Sequence, residues 1–285
     1  MQSSDKIFSK PITDIIKERI SIRSYKPQPL DDSLRTQLNN FINELSGPFS
    51  AKVRFILVDS DKLQKDNIKL GTYGVISGAS TFIISAVDNG DMNFEELGYE
   101  FEKLVLFAQS IGLGTCWLGG TFKKGEFAKA IQLKEDEILP TVSPIGYQSE
   151  SKKILSSFIR FAAGSKNRKN WEEMFFNGNF NTKLSNEEAG EYLLPLEMTR
   201  LSPSASNKQP WRIVKDGNNY HFYLSHTKGY AKALGFDMQR IDIGIAMCHF
   251  ELTSKELGLN GKWMKTKPSI KAQEENIEYI ISWVK

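Results

Sequence analysis

The chain has 285 residues, of which 40% are apolar and 25% charged, as is typical of a folded protein with one large domain or two smaller ones. Its net charge of +3, without a compact basic run, argues against a nucleic-acid-binding protein but is compatible with a small anionic ligand. Cys116 and Cys248 have neither disulfide-framework nor metal-site spacing. Residues 1–10 contain no apolar signal region, and the longest apolar stretch, residues 74–87, is too short for a membrane span. We therefore expect a cytoplasmic protein.

Apolar residues at helical spacing predict a first helix that begins at Pro11 and delivers Arg19, Ser21 and Arg23 at its end. The predicted buried stripe of this helix comprises Ile12, Ile15, Ile16 and Ile20. Two cations that flank a hydroxyl are suited to bind an anion. A solvated helix end has the same composition, so the motif alone does not decide between the two.

Further helices and strands follow through the first half. The predicted elements are a helix with Asp31 as N-cap that stops at Gly47-Pro48, strands at 53–58 and 81–87, a long helix that Gly112 ends, a short helix through 127–131 and a strand that leads into 144–147.

A glycine-rich turn, Gly112-Leu-Gly-Thr-Cys-Trp-Leu-Gly-Gly120, follows the long helix. A dinucleotide-binding fingerprint has the opposite order, because its glycines follow a strand and open the helix that holds the phosphate. We therefore reject that interpretation. A helix C-cap and a loose turn explain Gly112 and Gly114, whereas Gly119 and Gly120 are suited to bring backbone amides close to a flat ligand.

The long helix recurs in the second half at an offset of 146 residues, which is the separation of Trp117 and Trp263. Four pairs are identical, namely Gly98 with Gly244, Leu106 with Leu252, Gly112 with Gly258 and Leu113 with Leu259. Three more keep an apolar residue, namely Leu97 with Ile243, Phe101 with Met247 and Leu104 with Phe250. The second half also supplies a helix capped by Ser185 and Glu188, a hairpin of strands 211–215 and 220–225, and a last strand near 277–283. We infer a duplicated unit.

A polar loop, Pro203-Ser-Ala-Ser-Asn-Lys-Gln-Pro-Trp211, joins a predicted helix to this hairpin. Ser204, Ser206 and Asn207 offer hydrogen-bonding groups at close range, and the prolines at both ends stiffen the loop, so it is suited to bind a ligand. The alternative is a plain connection in which these side chains bond to their own backbone.

The two halves lack different parts of a site. The first has Arg19-Ile-Ser-Ile-Arg23 but only the short segment 46–51 in place of the polar loop, and the second has the loop but no clear Arg-x-Ser-x-Arg. Since a symmetric pair forms two equivalent sites at its interface, complementary losses predict that one composite site survives.

Other candidate residues carry no recognisable chemistry. His221, His226 and His249 have no metal-ligand spacing and do not stand in a Ser/His/Asp order, so we predict structural roles for them. Tyr73 precedes a strand, where packing is favoured over contact with a substrate. We expect neither a catalytic side chain nor a metal ligand.

Five motifs in this order resemble the FMN-dependent nitroreductase superfamily, and especially its fused members, in which one chain imitates the usual homodimer. They are Arg19-x-Ser-x-Arg23, the glycine-rich turn 112–120, Pro144-Ile-Gly-Tyr147, Arg168-Lys-Asn-Trp-Glu-Glu173 and the polar loop 203–211. The resemblance covers most of the chain and implies an internally duplicated α+β fold with mixed and antiparallel sheets flanked by helices. It implies one half at 1–180 that carries the flavin phosphate and N5 contacts, and a second at 181–285 that contributes the polar loop.

Residues of the first half acquire roles through the resemblance. It implies that Arg19 and Ser21 hold the FMN phosphate and that Arg23 lies near the N1 and O2 edge of the flavin. Planar cations and a hydroxyl suit a phosphate dianion, and a cation near N1 stabilises the anionic reduced flavin. It also implies that Gly119 and Gly120 bring backbone amides to N5 and O4.

The resemblance assigns further cofactor contacts beyond the first half's motifs. Lys166 and Arg168 match the basic end of the family's C-terminal arm, a second clamp on the phosphate, although a degenerate copy of the segment 19–23 stays open for this stretch. Ser204, Ser206 and Asn207 are implied to reach across from the second half, toward the ribityl chain and the pyrimidine ring.

The implied function is that of an oxidoreductase in which NAD(P)H reduces FMN and the flavin passes hydride or electrons to a nitroaromatic, a quinone or a similar small acceptor. A non-enzymatic flavin-binding protein or a pseudoenzyme of the same fold is the alternative. Because the turn Gly258-Leu-Asn-Gly-Lys-Trp263 lacks paired glycines, we expect one FMN per chain. Because the dimer interface would lie inside one chain, we expect a monomer.

Overall fold

A computed structural model describes residues 7–63, 67–149, 167–270 and 275–285. Its first half begins with two helices and continues with strands on either side of a long helix. In chain order the elements are α1 (Ile12–Glu18), α2 (Asp32–Glu44), β1 (Val53–Asp59), β2 (Thr81–Asp88), α3 (Asn93–Ser110), β3 (Gly114–Thr115), α4 (Lys124–Ala130), β4 (Glu137–Ile138) and β5 (Val142–Gly146).

The second half has a comparable order of strands around a second long helix. Its elements are β6 (Phe175–Asn177), α5 (Asn186–Ala189), α6 (Leu193–Arg200), β7 (Trp211–Asp216), β8 (Asn219–Ser225), α7 (Tyr230–Leu234), α8 (Met238–Glu256), β9 (Lys262–Met264) and β10 (Ile277–Val284). Short 3-10 turns lie at Trp171–Glu173, Gly190–Tyr192 and Ala205–Asn207. No helix within the described ranges is long and apolar enough to span a bilayer.

The two sheets share one strand order. In the first, the order β1-β2-β5-β3 is antiparallel throughout, and β4 pairs with β2. In the second, the order β7-β8-β10-β9 is also antiparallel, and β6 adds a parallel strand beside β7. The strand β6 thus joins the second sheet although it precedes the expected boundary at residue 180. The predicted α+β architecture with mixed and antiparallel sheets is what the structure has.

Two reciprocal glycine contacts mark the crossing of α3 and α8. A Cβ added at Gly98 would lie 2.1 Å from the carbonyl oxygen of Ile241, and one added at Gly244 would lie 2.0 Å from that of Glu95. These four positions form two pairs at the 146-residue offset, so each helix approaches its partner in the same way. Only glycine permits such an approach, because any side chain would meet the neighbouring backbone.

The first helix packs against the second half. Ile12, Ile15 and Ile16 are buried in one apolar cluster with Phe175, Trp211 and residues of α8. Burying each isoleucine stabilises the fold by about 1.5 to 3 kcal/mol. The side chain of Glu256, at the end of α8, accepts a 2.6 Å hydrogen bond from the amide of Ile12 and so caps α1 from the other half.

One prediction for the first helix was wrong in detail. Ile20 is 44% exposed and lies beyond α1, because the backbone becomes extended at Arg19. The predicted N-cap of α2 at Asp31 is confirmed, although its side chain makes no capping hydrogen bond. In contrast, the capping box of Ser185 and Glu188 is confirmed in full, with reciprocal bonds of 3.2 Å and 2.9 Å.

Candidate functional site

The segment after α1 runs as an extended strand along the end of the first sheet. The amide of Ile22 donates to the carbonyl of Thr115 at 2.8 Å, and Ser77 donates to the carbonyl of Arg23 at 2.9 Å. Ser21 forms a parallel bridge with Thr115. Because residues alternate sides along an extended chain, Arg19, Ser21 and Arg23 share one face, next to the glycine-rich turn.

Arg168 contacts the polar loop directly. It donates to the side-chain oxygen of Asn207 at 2.8 Å and to the carbonyl of Leu201 at 2.9 Å, and the side-chain nitrogen Nδ2 of Asn207 donates to the carbonyl of Asn167 at 2.8 Å. The side-chain oxygen of Gln209 also accepts from the amide of Lys169 at 2.8 Å. The structure therefore joins the Arg168 motif to the loop that begins at Pro203, as a shared site requires.

Buried positive charge accumulates where these segments meet. Burial, together with the neighbouring cations Arg19 and Arg200, lowers the pKa of Arg168 to about 10. Arg19 is only 9% exposed. Nε of Arg19 and both Nε and Nη1 of Arg23 are buried and have no hydrogen-bond partner among the described residues. Within those residues, Nε of Arg19 has only an ion pair of 3.7 Å with Oε1 of Glu102. Buried cationic nitrogens without hydrogen bonds are costly unless a ligand binds them, so this cluster fits an anion.

The polar loop has an unusual backbone. The backbone φ angles of Ser206, Asn207 and Gln209 are 49°, 54° and 48°. These values lie in the left-handed region, which residues other than glycine rarely adopt. The amide of Gln209 donates to Oγ of Ser204 at 2.9 Å, so Ser204 braces the loop as the plain-connection interpretation predicts. Ser206 lies on the exposed side, with its Oγ 3.1 Å from the hydroxyl of Tyr230. Three strained residues in one short loop are typical of functional sites.

A buried carboxylate on α8 anchors this loop. Asp242 is 2% exposed and its Oδ1 accepts from the amide of Ala205 at 2.9 Å, whereas its Oδ2 has no partner among the described residues. The position offset by 146 residues is Glu96, whose Oε2 accepts from the amide of Phe49 at 2.8 Å. Each central helix therefore holds the loop that precedes the first hairpin strand of its own half.

The glycine-rich turn lies against the second half. A Cβ added at Gly119 would lie 2.1 Å from the terminal methyl of Met238, at the start of α8, whereas Gly120 is exposed. Trp117 and Ala205 pack on the same small apolar cluster as Met238. The turn, the polar loop and α8 thus meet, and Gly119 lies beside Met238 of this cluster.

Glu102 links the turn to the second half through side chains. Its Oε2 accepts from the indole nitrogen of Trp117 at 2.7 Å, and its Oε1 lies 2.9 Å from Nε2 of His249 and 3.7 Å from Nε of Arg19. Sequence reasoning missed Glu102, Asp242 and Met238. For Glu102 and Asp242 the sequence does contain a signal. Each is an acidic residue at a position of a long helix that the 3.6-residue period places on the buried, apolar face.

Not every predicted residue can be placed. Lys166 lies outside the described residues. Tyr73 is 68% exposed with a φ of 48°, so the packing role predicted for it is wrong. Its loop lies beside the end of the glycine-rich turn, because the amide of Lys123 donates to the carbonyl of Gly71 at 2.9 Å. A separate surface cavity of about 760 Å³, lined by Trp171, Leu194 and others, contains none of the predicted cofactor residues.

Comparison with known proteins identifies relatives of the chain. A family model described as "Putative TM nitroreductase" matches residues 11–254. Among solved structures, a putative nitroreductase from Thermotoga maritima MSB8 is 18% identical with a TM-score of 0.62, over 96% of this chain and 94% of that one. At this identity the likeness shows a shared fold. No curated protein matches.

Smaller nitroreductases match half of the chain. A nitroreductase with bound FMN from Bacteroides fragilis NCTC 9343 is 19% identical with a TM-score of 0.41, over 51% of this chain and 92% of that one. An FMN-dependent nitroreductase from Clostridium difficile R20291 is 22% identical with a TM-score of 0.39, over 49% and 88%.

Proposed function

The chain belongs to the putative TM nitroreductase family, and on that premise we propose that it is an FMN-dependent NAD(P)H oxidoreductase with one composite flavin site. The observation that carries the proposal is the meeting of Arg168 with Asn207, beside the buried cation Arg19. These residues come from three distant segments of the chain. Their convergence brings two guanidinium groups, the buried Arg19 and the half-buried Arg168, close together and so supports an anionic cofactor.

The phosphate end of the cofactor is assigned to Arg19, Ser21 and Arg168. Two guanidinium groups and a hydroxyl provide several donors, and charge-assisted hydrogen bonds to phosphate are among the strongest in proteins. The site holds this charge at a cost, since burial, and to a smaller extent the neighbouring cations Arg19 and Arg200, lower the pKa of Arg168 to about 10. A dianion that binds there would relieve the repulsion between these cations, which supports affinity for a phosphate monoester.

The flavin ring is assigned to the space between Arg23, the glycine-rich turn and the polar loop. The exposed Gly120 is suited to leave its backbone amide accessible to a flat ring, whereas the terminal methyl of Met238 occupies the space beside Gly119. Arg23 supplies a cation for the N1 and O2 edge, and Asn207, whose side chain bonds to Arg168 and to the carbonyl of Asn167, holds the polar loop beside this space from the other half. FMN, when bound, would supply the hydride and electron chemistry that the side chains around it lack.

The equivalent space in the second half does not fit a flavin. At the offset of 146 residues, Lys265 and Thr266 stand in place of the paired Gly119 and Gly120, so both positions carry side chains where the flavin-binding turn has none. In addition, the first-half loop at 46–51 is short and is held down by Glu96. We therefore propose that the chain is an internal duplication in which one of two original sites has been lost.

Two titrations test the composite site. Arg19→Ala removes a charge-assisted contact worth about 1.5 to 3 kcal/mol, so FMN affinity is expected to fall about tenfold or more while riboflavin affinity changes little. Asn207→Ala is expected to weaken the same single equivalent of FMN from the other half. Arg54→Ala provides the control, because Arg54 pairs with Glu137 at 2.9 Å, away from the site. An Asn207 variant with wild-type FMN affinity would contradict the composite site.

Turnover is tested separately from binding. Under anaerobic conditions, NADH or NADPH is expected to bleach the absorbance of the bound flavin, and a nitroaromatic or a quinone is expected to restore it. A protein that binds one equivalent of FMN but is bleached by neither nucleotide would instead be a flavin-binding protein without this activity.

A further inference from the structure

A buried acid-base pair joins the two halves beneath the proposed phosphate site. Glu102 on α3 and His249 on α8 have fully buried side chains, and Nε2 of His249 lies 2.9 Å from Oε1 of Glu102. The same carboxylate lies 3.7 Å from Nε of Arg19, whose side chain is 7% exposed. The charge that Arg19 presents to a ligand therefore depends on the charge of this pair.

Hydrogen-bond geometry fixes the number of protons on the pair. Nδ1 of His249 lies 2.9 Å from the carbonyl of Met198, and a carbonyl only accepts, so Nδ1 carries hydrogen. Nε2 then faces a carboxylate oxygen, and this contact needs one more proton, on either the imidazole or the carboxyl. The second carboxylate oxygen is occupied as the acceptor for Trp117. In both arrangements the pair is neutral as a whole.

We propose that His249 supplies the proton that cancels the charge of Glu102, so that no neighbouring carboxylate offsets the positive charge that Arg19 presents to a phosphate monoester. This inference rests on the proposed function, because it assumes that Arg19 faces the phosphate of FMN. Glu102 and His249 are positioning residues, since neither is assigned a contact with the cofactor. Because Glu102 lies on α3 and His249 on α8, the charge at the site depends on both halves of the chain being packed together.

The alternative charge state would disable the site. With a neutral residue in place of His249, Glu102 would stay ionised beside Arg19, and a buried pair of opposite charges interacts far more strongly than one in water. The guanidinium would then be neutralised by its own neighbour and would contribute less to an incoming dianion. Removing both charges together, in contrast, leaves Arg19 as cationic as in the natural protein.

The test compares FMN with riboflavin, which lacks the phosphate, in full-length variants by fluorescence titration. We expect H249Q to lower the ratio of FMN to riboflavin affinity about tenfold or more, because an uncompensated Glu102 pairs with Arg19. The double variant E102Q/H249Q is expected to restore the ratio to near its natural value. E102Q alone is expected to keep a ratio at least as high as the natural one, because its amide can donate to a neutral His249.

Several outcomes overturn the inference. If H249Q weakens FMN and riboflavin equally, or if the double variant binds FMN as poorly as H249Q, the pair serves packing alone. If H249Q does not fold, E102Q decides, since a tenfold loss of the ratio would mean that the carboxylate charge itself is needed. Failure of the proposed function is distinguishable, because Arg19→Ala would then leave the ratio of FMN to riboflavin affinity unchanged.

Discussion

The crossing of α3 and α8 predicts an asymmetric response to very similar substitutions. Gly244→Ala would place a methyl group 2.0 Å from the carbonyl oxygen of Glu95, whereas ordinary contact begins near 3.4 Å. The two helices would therefore have to separate by about 1.4 Å, because the obstacle is backbone and cannot rotate away. Gly125→Ala, in the short helix α4, meets nothing within 4 Å and is the matched control.

The energies of these two variants have opposite signs. Alanine is favoured over glycine in a helix by about 0.5 to 1 kcal/mol, so Gly125→Ala is expected to stabilise the protein by that amount. Gly244→Ala gains the same helix-propensity energy but loses packing contacts between α3 and α8 wherever the two helices separate. Since overpacking usually costs about 1 to 3 kcal/mol and here involves two backbones, we expect a net loss of about 3 kcal/mol or more.

Urea unfolding followed by circular dichroism measures both free energies of unfolding. Gly98→Ala is expected to behave like Gly244→Ala, because it meets the carbonyl oxygen of Ile241 at 2.1 Å. The double variant is expected to lose less than the sum of the single losses, since helices that have already separated admit the second methyl group more easily. A Gly244→Ala protein as stable as the Gly125→Ala control would refute the close crossing.

Three further predictions concern charge, the loop and assembly. Burial and the neighbouring Glu96 raise the pKa of Glu100 from 4.5 to about 8, so its stabilising contribution is complete below about pH 4.5 and is lost as the pH rises toward 8. Glu100→Gln should therefore unfold at higher urea than the natural protein at pH 8.5, with little difference at pH 5. Asp242→Ala should lower FMN affinity about tenfold by releasing the amide of Ala205, whereas Glu96→Ala should leave it unchanged. Finally, sedimentation should show a monomer at micromolar concentration, and a dimer that dissociates with loss of FMN would contradict the single-chain site.

Elements that depend on local residue patterns or on the internal repeat could be predicted from the sequence. The apolar stripe and the repeated glycines predicted α3 and α8, because the buried face of a helix recurs every 3.6 residues. The side chains of Ser185 and Glu188 specify their helix start within four residues. By comparison, Ile20 fits the period of α1, yet the chain leaves the helix at Arg19 to lie beside Thr115, a tertiary contact that no local pattern contains.

The acid-base pair beneath the candidate site could not be predicted from the sequence, because it too depends on a tertiary contact. Glu102 and His249 lie 147 residues apart in the chain, and only the folded crossing brings them to 2.9 Å. A carboxylate inside an apolar helix shows that some partner must exist, but its identity depends on the opposite helix. Ser21 and Arg23 could be recognised as parts of one motif because they stand only two residues apart, although their roles toward a cofactor stay predictions.

Glu96 and Asp242 occupy equivalent positions in the two halves, and each holds a loop of its own half. This arrangement affects how the two loops can evolve. In a symmetric dimer of identical chains, each substitution appears at both sites, so a change that damages one loop damages the other. When both loops belong to one polypeptide, each is altered separately. Under the proposed duplication, the loop held by Glu96 can therefore change without altering the loop held by Asp242, and the surface near Phe49 can adapt to a role unrelated to flavin.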